Sequence, residues 1–396
     1  MNQVLESLEA RIAPATFLVT STADDGSGGT LREAIDAANM NQGSDTIRFD
    51  RSVFTQGTVI ALTDGDIEST GPVRILGPGL DRLTIQADTA ERIFDLSGSG
   101  NKVSISNLTL SGGDPSGNGG AILSGVDLTL NKVAAVGNTA AFGGGIFSTG
   151  NLRISNSLIA GNTADIVDGG GIYVLGQDAR VQIMNSTITN NNALSEGGGI
   201  IVQPGTSPDI VRISGTTISG NTAGFFGGGV SIDLTSATDM TKVMIQRSTI
   251  QGNSVTEPSG IGGGVYVEMN VLSDGSSVQI NRSIISSNTA ADNGGGISVA
   301  GSSSFIAKGL TASGNFASGG GGAIAAELGT TVELTRAHIE RNTSDDVGGG
   351  IFSGANLTVT KSKILNNDGL SLAGGIYSAL GSASITSTLF MGNVSC

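Results

Sequence analysis

A short phrase recurs along most of this chain. An Asn is followed about nine residues later by a glycine run that closes in Ile or Val, as in Asn162 to Gly169-Gly170-Gly171-Ile172, Asn221 to Gly227-Gly228-Gly229-Val230 and Asn342 to Gly348-Gly349-Gly350-Ile351. Self-similarity with a period of about 20 to 50 residues marks a solenoid, in which each repeat buries its apolar face against its neighbours. The closing residues are Ile122, Ile146, Ile172, Ile200, Val230, Val265, Ile297, Ile324, Ile351 and Ile376, at spacings of 24, 26, 28, 30, 35, 32, 27, 27 and 25. The Asn column is as long: Asn138, Asn162, Asn191, Asn221, Asn253, Asn288, Asn315, Asn342, Asn367 and Asn393. From each Asn to the next closing residue is 8 to 12 positions, whereas from there to the next Asn is 16 to 23. One arc of the repeat is held constant while the other accepts insertions, as expected of a coil with one fixed corner and one loop-bearing side.

The residues between the columns decide what kind of coil this is. Leu152-Arg153-Ile154-Ser155, Val181-Gln182-Ile183-Met184, Val211-Arg212-Ile213-Ser214 and Val243-Met244-Ile245-Gln246 alternate apolar and polar side chains, the period of a strand with one buried face. No period of 3.6 follows residue 40. The expected fold is all-β: a single-stranded right-handed parallel β-helix, or solenoid, with a short N-terminal capping helix. Glycine at the corners reaches left-handed backbone at no Cβ cost and lets coils approach closely. Asn at a fixed corner can pass an amide hydrogen bond to the Asn above and below, since stacked strands repeat at about 4.8 Å. The Asn column is thus expected to be a structural ladder, and the Ile and Val column the core.

Composition excludes several classes. Sixty-three glycines and 14% charged residues are unusual for a globule, yet 38% of the chain is apolar and evenly spread, which argues against disorder. A net charge of −14 argues against binding nucleic acid or anionic lipid. The single cysteine, Cys396, rules out an internal disulfide. Apolar stretches are interrupted well before the roughly 18 residues needed to span a membrane. Met1 to Thr16 carries Glu6 and Glu9 where a secretory signal would be basic and then apolar, and reads as a leader or flexible tail.

Residues 17–50 read as an N-terminal cap, and residues 51–396 as the solenoid, with regular coils from about 107. Phe17 to Thr22 has strand character. Thr30-Leu31-Arg32-Glu33 fits a capping box that opens a helix over 31–39, with Leu31, Ala34, Ile35 and Ala38 on one face. Such a helix would cover the apolar end of the first coil.

The segments Phe17-Leu18-Val19-Thr20, Gly29-Thr30-Leu31-Arg32-Glu33-Ala34-Ile35 and Asp45-Thr46-Ile47-Arg48-Phe49 resemble the CSLREA segment that begins many bacterial right-handed parallel β-helix proteins. Gly29 and Thr30 stand where that family often has Cys and Ser. The Gly-Gly-Gly-Ile and Gly-Asn-Thr-Ala repeats are similar to those of polymorphic outer-membrane proteins and large surface adhesins. Leu8-Glu9-Ala10-Arg11 with Pro14-Ala15 looks like a leader of some large bacterial surface proteins. The resemblance implies an extracellular or bacterial cell-surface location.

Two readings of function remain. The first is a surface-displayed or secreted, structural or adhesin-like protein that binds a glycan or a cell-surface protein without catalysis. Its candidate contact surface is the set of long arcs in consecutive repeats, which carry Asp209, Asp233, Asp239, Glu268 and Asp274. The alternative is a polysaccharide lyase or glycoside hydrolase on the same scaffold. Its candidate residues are Asp168 and Glu196, each four residues before a closing Ile in adjacent repeats, where stacking would bring two carboxylates near the spacing of about 5 Å used by retaining glycosidases. Asp165, Glu257, Asp292, Asp345 and Asp346 share that connector and read as a solvated acidic corner. The lone histidine, His338, precedes an inward Ile and should face outward. No resident cofactor is expected beyond weakly bound Ca²⁺, and the oligomeric state is left open.

Overall fold

Ile122, Ile146, Ile172, Ile200, Val230, Val265, Ile297, Ile324, Ile351 and Ile376 are consecutive partners in one parallel ladder. The column counted in the sequence is therefore a physical column, one residue per coil. The computed structural model describes residues 14–395 apart from 42, 88–89, 99–100, 177–179, 205–209, 236–240, 270–276 and 302–303. Among the described residues there are one helix and three parallel sheets, of 25, 12 and 10 strands. The fold is a parallel β-solenoid. We call the 25-stranded layer the long sheet, the 12-stranded layer with the closing residues the short sheet, and the 10-stranded layer the narrow sheet.

The coil around Asn191 shows how a repeat is built. Arg180–Met184 and Thr187–Thr189 lie on the long sheet, joined by a kink at Asn185 with φ of 49°. Ladder residue Asn191 follows, then the narrow-sheet strand Asn192–Ala193, the glycine corner Gly197–Gly199 and the short-sheet strand Ile200–Pro204. Inward side chains Val181, Ile183, Ile188, Ala193 and Ile200 are buried; the counterparts of the first three and of Ile200 above and below form one continuous apolar core, while those of Ala193, such as Ala223, Val255 and Ala290, form a small cluster of their own.

Two devices set the spacing of the coils. Each ladder Asn from Asn138 to Asn367 donates its side-chain amide to the Oδ1 of the next at 2.9–3.0 Å, and its backbone N–H to the same oxygen at 3.0 Å. The second amide hydrogen goes to a carbonyl of the preceding coil, as from Asn191 to Ile159 at 3.0 Å. At the glycine corner the first glycine needs left-handed backbone, with φ of 71° at Gly169 and 59° at Gly197. The second has no room: a Cβ on Gly170 or Gly198 would overlap the carbonyl oxygens of Asn192 or Thr222 in the next coil.

A third ladder was not expected from the sequence. Behind the long-sheet kink, buried hydroxyls accept backbone N–H groups from the coil before: Ser157 from Val133 at 3.1 Å, Ser186 from Ser157 at 3.2 Å, Ser248 from Thr216 at 3.3 Å and Ser283 from Ser248 at 3.2 Å. They satisfy N–H groups that the kink removes from the strand ladder.

The N-terminal segment is built into this stack. Strand Thr16–Val19, shorter than the expected run to Thr22, pairs with Asp45–Phe49, which pairs with Val73–Leu76. Parallel coils thus begin well upstream of residue 107. The helix spans Leu31–Met40 and buries Leu31, Ala34, Ile35 and Ala38. Thr30 caps it by accepting from the Glu33 N–H at 3.2 Å, while the Glu33 carboxylate reaches one residue further than a standard capping box, to Gly29 N–H at 2.8 Å. Buried Asp24 pairs with Arg32 at 2.9 Å, and Arg32 also donates to the carbonyls of Gly65 and Asp66, both at 2.8 Å.

Three substitutions separate these effects. Asn221→Ala leaves the N–H and amide donors of Asn191 without their common acceptor, and two buried donors at about 1–3 kcal/mol each give an expected loss of about 2–6 kcal/mol in urea unfolding. Gly170→Ala should be severely destabilising by the same measurement. Gly252→Asn should stay within about 0.5 kcal/mol, because Gly252 has φ of 61°, open space around its Cα, and Asn190 and Asn366 at the equivalent position.

Candidate functional site

The outward face of the short sheet departs from the polar default of a solvent face. Phe147, Tyr173, Ile201, Ser231 and Tyr266 occupy one column, placed by the same register that stacks the core. Phe147, Tyr173 and Ile201 form a small apolar cluster outside the tube, with Leu123 and Phe142 packed against it. The Tyr173 ring stacks on Phe142 at 5.7 Å between centroids and meets Phe147 edge-on at 5.1 Å, and Tyr266 stacks on Phe226 at 4.7 Å. Rings of this size bury much apolar area and fix their polar tips in place.

Carboxylates surround these rings. Asp168 and Glu196 immediately precede the left-handed glycines Gly169 and Gly197, so the glycine corner stacks them on adjacent coils. Asp168 is 7% exposed, and its Oδ1 accepts the Glu196 N–H at 3.0 Å. Burial raises its pKa, with the bonds from Glu196 and Ser195 working against the shift and the charge of Asp233 adding to it. Glu196 accepts the Ser231 hydroxyl at 2.9 Å and is pushed up to about 7, first by burial and then by the charges of Asp168, Asp233 and Glu268.

The neighbouring column completes the network. Tyr173 donates its hydroxyl to Gln203, which donates to Asp233 at 3.0 Å, and Asp233 also accepts from the N–H and hydroxyl of Thr235 at 2.9 and 2.6 Å. Glu268, paired with Asp233 in the sheet, accepts the Tyr266 hydroxyl at 3.0 Å. Burial and the nearby carboxylates hold both phenols well above their ordinary pKa, so they stay protonated donors.

The two sequence expectations therefore converge. Asp233 lies close enough to Asp168 and Glu196 for its charge to raise the pKa of both, and Asp168 and Glu268 act on Glu196 as well. Asp233 and Glu268 are on the strands Val230–Leu234 and Val265–Met269 rather than in loops. Asp209, Asp239 and Asp274 lie outside the described residues. Asp165, Glu257, Asp345 and Asp346 are exposed, and His338 sits on the long sheet beside Glu340 at 3.2 Å. Tyr173, Gln203, Ser231 and Tyr266 were not singled out in the sequence; the signal for Tyr173 and Tyr266 is an aromatic residue at the outward position two along from a glycine run, whereas Gln203 and Ser231 carry no such mark.

Chemically, the face offers four carboxylates on four successive coils, hydrogen-bonded to phenol, hydroxyl and amide groups. Among the described residues no Lys or Arg forms an ion pair with them, and no group of three or more His, Cys, Asp or Glu is arranged to hold a metal ion. Bound sugar hydroxyls or amines would find ready acceptors here.

No family model matches this chain, and no curated protein is significantly similar to it. Solved structures similar to it include the A-module of the Azotobacter vinelandii mannuronan C-5 epimerase AlgE4, at 12% identity over 92% of this chain and 91% of that one, with a TM-score of 0.45. Pectate lyase Pel9A is similar at 11% identity over 96% and 80% of the two chains, with a TM-score of 0.35. PfbA, a surface adhesin of Streptococcus pneumoniae, is similar at 11% identity over 91% and 88%, with a TM-score of 0.36.

The pKa of Glu196 has a consequence for stability. The folded protein holds this proton up to about pH 7, while the unfolded chain releases it near the ordinary 4.5. Between those values the native state binds more protons, so stability is greatest below the window and falls as pH rises through it. Glu196→Gln should flatten that fall, seen as a smaller drop in Tm between about pH 5 and pH 8 than in the unsubstituted protein.

Proposed function

We propose that this chain is a surface-displayed or secreted β-solenoid that binds a glycan, without turning it over, through the acid and tyrosine face of the short sheet. The observation that carries the reading is the network Tyr173–Gln203–Asp233, with Glu196–Ser231 and Tyr266–Glu268 beside it. A stalk gains nothing from desolvating carboxylates that lack counter-ions, since burial of an unpaired charge costs free energy. A ligand that supplies hydroxyl or ammonium donors would offset that cost. The sign of the face selects the class: four carboxylates repel uronates and favour neutral or amine-bearing sugars. Resemblance to CSLREA-type and surface-adhesin repeats supports display outside the cell, with a glycan or cell-surface protein as partner.

A second reading has a specific observation in its favour. Glu196, pushed up to about 7, is poised as a general acid, and Asp168 on the adjacent coil is a second carboxyl, the pair that glycoside hydrolysis requires. A lyase fits less well, because the described residues put no cation in the face to neutralise a uronate.

Binding to arrays of neutral, amino and uronic oligosaccharides separates the readings. Retention of neutral or amino sugars should fall at least about tenfold in the double variant Asp233→Asn, Glu268→Gln, as expected when two or more charge-assisted hydrogen bonds are weakened. Reducing ends should not accumulate. Their release by the unsubstituted protein and its loss in Glu196→Gln would replace the binding reading by the hydrolytic one.

A further inference from the structure

The kink of the long sheet needs left-handed backbone in each coil from Asn107 onward. Its occupants are Asn107, Lys132, Asn156, Asn185, Gly215, Arg247, Arg282, Gly309, Arg336, Lys361 and Ser387, with non-glycine φ values of 49–56°. Gly and Asn visit this region at least cost, and other residues pay up to about 1–2 kcal/mol. Four of the first five positions follow that preference. From Arg247 the choice changes: four of five successive coils place Arg or Lys at the kink, and the fifth, Gly309, follows Lys308. The backbone does not ask for these residues, so something outside it does.

The register makes them a row. Arg247 N–H donates to the Asn281 carbonyl at 3.0 Å, Arg282 N–H to Lys308 at 2.9 Å, Gly309 N–H to Thr335 at 2.8 Å and Arg336 N–H to Thr360 at 3.0 Å, which ties each kink to the next coil. At about 4.8 Å per coil, the row from Arg247 to Lys361 is about 19 Å long. All its cations are exposed. Among the described residues none of them forms an ion pair; the acids of this stretch of the sheet are Glu333, three residues before Arg336, and Glu340, which faces His338. Between the cations, Gln246, Gln279 and Asn281 help to line a depression of about 260 Å³ with Arg247, Arg282 and Lys308.

We propose that this row is a binding track for a linear anionic glycan, with uronate or sulfate groups on the kink cations and sugar hydroxyls on the intervening amides. The occupant is argued from charge complementarity: a single file of unpaired cations on a chain of net charge −14 fits a single-file polyanion. Single-stranded nucleic acid fits less well, because it is held by stacking of its bases, and His338 is the only ring at the described outward positions of these strands. The track is on a different sheet from the acidic face and does not depend on the function proposed for that face.

The test uses the variant Arg247→Asn, Arg282→Asn, Arg336→Asn, which should fold at least as well because Asn suits left-handed backbone. Oligogalacturonate and dextran sulfate are the probes, with dextran, poly(dT) and phosphatidylserine vesicles beside them. The whole protein should bind the two anionic glycans, with affinity falling as salt rises. The triple variant should lose at least about tenfold in affinity and show a shallower salt dependence, with unchanged or raised Tm. Asp233→Asn, Glu268→Gln should retain anionic-glycan binding, which separates failure here from failure of the acidic-face reading. Equal binding by the triple variant, binding of dextran by the Asp233→Asn, Glu268→Gln variant as tight as that of the anionic glycans, or tighter binding of poly(dT) or vesicles would overturn the proposal.

Discussion

Vertical contact between coils at the glycine corner and the Asn ladder is the constraint on which the rest depends. A ladder amide meets the next one only at one strand spacing, and the second glycine of each run leaves no space for a Cβ against the coil beside it. With two corners held this tightly, the intervening strands cannot slip by one residue without turning the Ile and Val column outward. Extra residues enter mainly on the arc between the short and long sheets, with a few before the glycine corner in the coil that closes in Val265, so that coils lengthen to 35 residues without disturbing the register on either side. The serine ladder behind the kink adds a third tie of the same kind.

Much of this was legible in the sequence because a solenoid converts spacing into position. The closing residues and the ladder Asn could be counted, and each count became a column. The serine ladder was legible too, since Ser157, Ser186, Thr216, Ser248, Ser283 and Ser362 each stand five residues before a ladder Asn. It was missed because a hydroxyl at a strand break reads as ordinary turn chemistry. The site was read as two unrelated features for a similar reason. Asp233 and Glu268 fall where the repeat length begins to vary, so they were assigned to insertions, although the strands run through them before the chain departs. Period-two reasoning also treats every outward position as solvent, and so passes over Tyr173, Ile201 and Tyr266, whose outward column is where the surface becomes a second small core.

Burial of Asp168 and Glu196 follows from that second core. Without the rings of Phe142, Phe147, Tyr173, Phe226 and Tyr266, corner carboxylates would stay hydrated, as Asp165 does on the same coil as Asp168 and Asp345 and Asp346 do on another. The same residue type in the same connector thus has two physical states, decided by what the next outward column contains. No single-repeat motif encodes this, because the environment of each carboxyl is assembled from three or four coils.

Charge separation is a further result of the architecture. In a globule, neighbouring surface positions come from unrelated parts of the chain, so acids and bases mix. In a solenoid each outward column belongs to one face for its whole length, and a residue type favoured there accumulates along the axis. Asp168, Glu196, Asp233 and Glu268 gather on the short-sheet side, and Arg247, Arg282, Arg336 and Lys361 on the long sheet. Among the described residues, the apolar core between the sheets carries no charged side chain that could join the two sets. Each set must therefore find its counter-charges outside the protein, either in mobile ions or in a ligand of matching repeat. Mobile ions satisfy an exposed row at little cost but cannot follow carboxylates into a desolvated face, so uncompensated charge weighs more heavily on the acidic face than on the basic row.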